Sequence, residues 1–225
     1  MLLRAFGEML PAAMGIALSP FPIIAVVLVL GTADAVRTGV SFAAGWLLGI
    51  GALTAVILLL VASADVQGST ESTMLAWARV VVGAALIAMA GKKWHTRPRQ
   101  GDVPVLPHWM ERIDGISPAR AFRLGVVLGG VNPKNLAFAL SSAASITELG
   151  LHGGTKAAAG VIFVALASCT VLGAVVARAV AGERAVAPLD SVKHFMIDNN
   201  NVIMMTVFLL LGANVLGNGL EALSW

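Results

Sequence analysis

The chain has 225 residues, 58% of them hydrophobic and 12% charged, with a mean hydropathy of +0.87. A soluble domain carries about 25% charged residues, so the composition excludes a water-soluble globule and points to an integral membrane protein. A net charge of +3 is too small to imply a nucleic-acid partner, and the single cysteine, Cys169, rules out an intramolecular disulfide.

The first apolar span covers about 9–30 and is interrupted by Ser19-Pro20-Phe21-Pro22. Each proline removes a backbone donor and frees a carbonyl, which lipid cannot solvate. A signal peptide is the competing reading, since Arg4 precedes the apolar run; Pro11 and the apolar continuation through Leu30 weigh against it. The second span, about 38–62, contains Gly45-Trp46-Leu47-Leu48-Gly49, a small-residue face that lets another helix approach closely. The third, about 74–91, is short against the roughly 20 residues a membrane helix needs, and Arg79 near its start can snorkel to the interface.

Residues 92–118 form the one long hydrophilic segment, with Lys92, Lys93, Arg97, Arg99 and Arg112 among four prolines. Two readings fit it: a loop held in the cytoplasm by its positive charge, or a basic surface for anionic headgroups or a partner protein. The fourth span, about 121–145, is interrupted by Asn132-Pro133-Lys134-Asn135. Lys134 reads there either as an intramembrane cation, a functional candidate by default, or as a neutral or carbonyl-bonded residue with a structural role, serving the carbonyls freed by Pro133. The fifth span, about 155–180, carries Ser168, Cys169 and Thr170 near its middle. Cys169 reads as a small buried packing residue, and the hydroxyls either bond carbonyls of their own helix or line a cavity. Asp198-Asn199-Asn200-Asn201 supplies capping residues for the sixth span, about 202–220. Asn214 and Asn218 share a face near the end of that helix, as interhelical hydrogen-bonding groups or as part of a polar site.

The expected fold is therefore all-α, with six transmembrane helices in two inverted three-helix repeats and helices 1 and 4 broken at proline. Residues 1–91 form the first repeat, 92–118 the loop and 119–225 the second repeat of one membrane domain. Six spans put both termini on one side with only Arg4, Arg79 and Lys156, against eleven Lys and Arg on the other. That asymmetry places the basic side and the 92–118 loop in the cytoplasm and the termini outside a bacterial inner membrane. Paired interrupted segments at matching points of two halves mark a transporter's midplane site.

A cation without acidic neighbours suits an anionic group better than a metal, whose site wants carboxylates or imidazoles. No His falls inside an expected span and no spacing suggests a nucleophile with a base. Neither metal, cofactor nor enzymatic activity is expected.

Six spans in inverted halves, the early Ala-Leu-Ser-Pro-x-Pro at 17–22, Gly-Trp-x-x-Gly in the second span and Asn-Pro-Lys-Asn in the fourth resemble the lysine exporter (LysE) superfamily. Within it the chain is similar to the actinobacterial GAP/Sap branch, the peptidoglycolipid and sulfolipid addressing proteins. The resemblance implies export of a solute or movement of a cell-envelope glycolipid. It also implies that Ser19, Pro20, Pro22, Asn132, Pro133, Lys134 and Asn135 line the substrate path, with Asn214 and Asn218 the further candidates. The expected function is a transporter that exports or flips an anionic envelope lipid or lipid-linked glycan by alternating access. The alternatives are a small amino-acid-like solute, or a non-transporting accessory role for the basic loop. Expected partners are membrane lipid and an anionic lipid or small anionic solute, with homodimer formation left open.

Overall fold

The computed structural model describes residues 2–64, 69–97, 115–151 and 153–224, and these are helical with no strand among them. In chain order the helices are α1 (Leu2–Ala17), α2 (Pro20–Leu30), α3 (Ala35–Ala64), α4 (Ser69–His95), α5 (Pro118–Gly130), α6 (Pro133–Glu148), α7 (Gly153–Ala167), α8 (Cys169–Ala181), α9 (Val186–Asp198) and α10 (Asn200–Leu223). Three of them begin on a polar residue followed by proline, at Ser19-Pro20, Ser117-Pro118 and Asn132-Pro133. Proline is tolerated at a first helical position because its missing N–H has no partner there anyway. The two interruptions expected from sequence are thus real helix boundaries.

Two helices are long and apolar enough to cross a membrane, at Ala35–Val61 and Asn200–Leu223. The pair Leu3–Ala17 and Pro20–Leu30, bent by 53°, and the pair Gly153–Ala167 and Cys169–Asp198, bent by 58°, raise the number to four if each is one broken span. α4 and the α5–α6 pair are not in that set among the described residues.

α3 packs along α5, and α4 along α10. Gly45 and Gly49 lie on the carbonyls of Phe122 and Val126, while Gly125 and Gly129 lie on those of Phe42 and Trp46. The rising numbers on both sides show that α3 and α5 run parallel. A methyl group at Gly45 would stand 2.0 Å from the Phe122 oxygen, and one at Gly125 2.2 Å from the Phe42 oxygen. The Gly-x-x-x-Gly face foreseen on α3 therefore has a matching face on α5. α4 and α10 cross antiparallel, with Gly83 against Leu216 and Gly212 against Ile87. Trp46, Phe42, Phe138 and Phe163 are wholly buried between α3, α6 and α7 and their neighbours.

Four expectations need correction. The fifth span is not continuous: it breaks at Ser168, where no proline stands. Cys169, just past that break, is exposed rather than buried, because the bend turns it away from the packed face. Asn199 does not cap α10 with its side chain; its amide donates backwards to the Phe195 carbonyl at 3.0 Å. Helix α4 continues to His95, into the expected loop, where the Thr96 carbonyl accepts from Asn201 Nδ2 at 2.7 Å. The rest of the basic loop, 98–114, lies outside the described residues.

Gly125→Leu should lower stability by about 3 kcal/mol, the upper end for overpacking, because the obstacle is backbone that cannot yield. Gly51→Ala, with nothing within 4 Å of the added methyl, should leave it unchanged or slightly raised. Thermal unfolding of both variants in detergent checks the contrast.

Candidate functional site

The break between α5 and α6 strands the Gly129 carbonyl, because Pro133 has no N–H to give it. Asn135, wholly buried, supplies the substitute: its Nδ2 donates to the carbonyls of Leu128 and Gly129, at 3.0 Å each. Its Oδ1 has no hydrogen-bond partner among the described residues. Asn132 caps α6 by accepting from the Lys134 backbone N–H at 3.0 Å. The Asn-Pro-Lys-Asn stretch thus contains both halves of its own repair.

At the end of α1 the Ser19 N–H turns to Ile16, 3.0 Å away, rather than to Gly15. Lys134 fills the gap from the other half of the chain, its Nζ donating to the Gly15 carbonyl at 3.1 Å. The Lys134 side chain is buried, only 9% exposed, with Nζ 5.4 Å from the centre of the Phe138 ring. A cation at a helix C-terminus is favoured by the helix dipole by about 0.3–2 kcal/mol. Among the described residues no carboxylate pairs with it.

The third break joins the same layer. Thr170 Oγ1, at the start of α8, donates to the Ala17 carbonyl at 2.6 Å. Trp46 Nε1 on α3 donates to Ser168 Oγ at 3.1 Å. The hydroxyls of the fifth span therefore serve other helices, not their own. Ser19, Pro20 and Pro22 are buried at the start of α2, beside the α1 end that Lys134 reaches. Pro133 is exposed and Asn132 half-buried.

Asn214 and Asn218 stand apart from this layer. Both are exposed on α10 and line a polar groove of about 490 Å³ with Arg4 and Glu8 of α1, Arg79 of α4, Ser145 of α6 and Glu221. A smaller cavity of about 40 Å³ adjoins it, lined by Arg79, Asn218 and the α6 residues Ala137, Ser141 and Ser145. Those α6 positions form one helical face, and Lys134 sits at its N-terminal end, about 16 Å from Ser145 along the axis. The groove and the Lys134 layer are thus two stations along α6. Trp46 and Thr170 gave no sign in sequence of their partners, whereas Arg79 was visible only as a charge near a span end.

The sequence matches the model of one family, described as Sap, sulfolipid-1-addressing protein, over residues 9–221. No curated protein and no solved structure matches the chain.

Asn135→Leu should destabilise the protein by about 1–3 kcal/mol for each stranded carbonyl. Thr170→Val removes one interhelical bond and should cost about 0.6–1.7 kcal/mol. Chemical unfolding of the two variants in mixed micelles reads the difference.

Proposed function

The chain belongs to the family of Sap, the sulfolipid-1-addressing protein, and from that membership we propose that it moves an anionic envelope lipid across the membrane by alternating access between its two halves. The observation that carries this reading is the Lys134 side chain, buried where the two proline breaks meet and bonded through Nζ, among the described residues, only to a main-chain carbonyl. A sulfate or phosphate oxygen would displace the neutral Gly15 carbonyl, since charge-assisted hydrogen bonds are roughly twice as strong as neutral ones. Losing the Lys134–Gly15 bond releases α6 from the end of α1, which couples headgroup binding to separation of the halves. The Oδ1 of Asn135, buried and unpaired, is an acceptor available to a sugar hydroxyl.

The packing supports six spans in inverted repeats. Exchanging α1 with α5, α2 with α6 and α3 with the α7–α8 pair turns the observed contact α1·α7 into α5·α3, α1·α6 into α5·α2, and α2·α8 into α6·α3, all of which occur. The α4–α10 pair maps onto itself and is antiparallel, as an axis in the membrane plane requires. With the termini outside, all three basic residues of that side line grooves: Arg4 and Arg79 the polar one, Lys156 an apolar one. The polar groove with Asn214 and Asn218 is then the outer mouth of the path and Lys134 its inner gate. This role is movement without chemistry on the lipid.

The test is leaflet-to-leaflet movement of fluorescent anionic lipids in proteoliposomes. A charged-group hydrogen bond contributes about 1.5–3 kcal/mol, so Lys134→Met should slow movement roughly 10- to 100-fold. Lys134→Arg should retain part of it, and both variants should elute as folded protein. Wild-type protein that moves no anionic lipid, or Lys134→Met at the wild-type rate, would contradict the proposal.

A further inference from the structure

Between α3 and α7 lies a second groove, of about 600 Å³, lined by Gly51, Thr54, Leu58, Lys156, Gly160 and Val164 among others. Its volume falls within the ~300–1,000 Å³ of small-molecule sites. Its chemistry is almost wholly apolar: the one hydroxyl among the described lining residues, Thr54 Oγ1, is turned inward onto the Ile50 carbonyl at 2.7 Å. Small residues make the groove. Nothing lies within 4 Å of a methyl group placed on Gly51, and Gly160 leaves room only for the Leu58 side chain, 2.9 Å from such a group. On α7 the lining runs from Gly153 to Val164, about 16 Å along the axis, and on α3 from Gly51 to Leu59, about 12 Å. One leaflet of a ~30 Å hydrocarbon core has about that depth.

Lys156 is the only charged residue of the lining among the described residues. It stands in the first turn of α7 and is half-buried, and no carboxylate among the described residues pairs with it. Val161 and Leu59, also in the lining, are 69% and 71% exposed, so the groove opens outward on an apolar surface. A slot as deep as one leaflet, apolar along its length and cationic at one end, matches an acyl chain below an anionic headgroup.

We infer that the α3–α7 groove is a binding site for one acyl chain of an anionic membrane lipid, whose headgroup oxygens are held by Lys156. It is separate from the Lys134 path, and occupancy does not require that the protein move lipid. The lipid wedges between the helix that carries Trp46 and the helix that ends at Ser168, so its loss loosens the pair that ties the third break.

The full chain is reconstituted in nanodiscs of equal phosphatidylglycerol and phosphatidylcholine with identical chains, and retained lipid is counted by native mass spectrometry. Wild type should retain phosphatidylglycerol over phosphatidylcholine by about fivefold, the attraction of one lysine to an anionic surface. Lys156→Gln should still retain lipid with that preference gone. Gly51→Leu, whose Cβ has nothing within 4 Å and which lines the groove, should retain less of both. A photoactivatable acyl chain on phosphatidylglycerol should label 51–59 or 153–164 in wild type and not in Gly51→Leu. An unchanged preference in Lys156→Gln, or unchanged labelling of those segments in Gly51→Leu, would overturn the assignment.

Discussion

A carbonyl freed inside an apolar bundle must find a donor, and that requirement governs how this chain is put together. Neither lipid nor a packed core can meet a stranded backbone oxygen, at a cost of several kcal/mol each. Three helices break in the interior: at two breaks side chains donate to carbonyls at the helix end, and at the third a side-chain pair ties the bend. Asn135 covers the end of α5, Lys134 and Thr170 cover the end of α1, and Ser168 at the α7–α8 break receives the Trp46 indole. Three of these bonds join the halves of the chain, so the breaks are also where the halves are fastened.

The glycine crossings make this layer reachable. Gly45 and Gly49 against Gly125 and Gly129 bring α5 onto α3 at backbone contact, which sets the depth at which α5 ends and α6 begins. Lys134 then falls opposite Gly15 instead of a turn above or below it. A close crossing and a polar layer are opposite kinds of interaction, one made of van der Waals contact and the other of hydrogen bonds. Here the first positions the second. The bonds themselves are individually modest in a membrane, about 0.6 kcal/mol on average, so the layer can open as well as hold. A transport gate needs that property.

Much of this was legible in the sequence where the signal is local. Proline dictates a boundary wherever it stands, so the breaks at Pro20 and Pro133 were readable, as was the small-residue face on α3. Lys134, at the second break, reaches the end of α1 beside the first. What was hidden is tertiary. No residue type announces that α7 ends at Ser168, because that bend is held by bonds to Trp46 and Ala17 of other helices. Asn135 read as a lining residue of a substrate path, yet both its donor bonds serve the backbone, because a side chain two residues past a proline is in reach of the carbonyl the proline abandons. Asn214 and Asn218 showed their shared face but not their neighbours, Arg4 and Arg79, which come from α1 and α4, far away in sequence.

The joint between Lys134 and Gly15 is the point on which both the architecture and the proposed gate rest. Its length can be read in lipid bilayers by rotational-echo double-resonance NMR, with 15N at lysine Nζ and 13C at glycine carbonyl carbons, taking the difference between wild type and Lys134→Arg. A 3.1 Å contact from Nζ to the carbonyl oxygen places the carbon no more than about 4.3 Å away, given a C=O bond of about 1.23 Å. Dephasing at that distance, absent in Lys134→Arg, is the predicted result. A difference spectrum with no dephasing would mean that Lys134 does not hold the end of α1, and the two breaks would not form one layer.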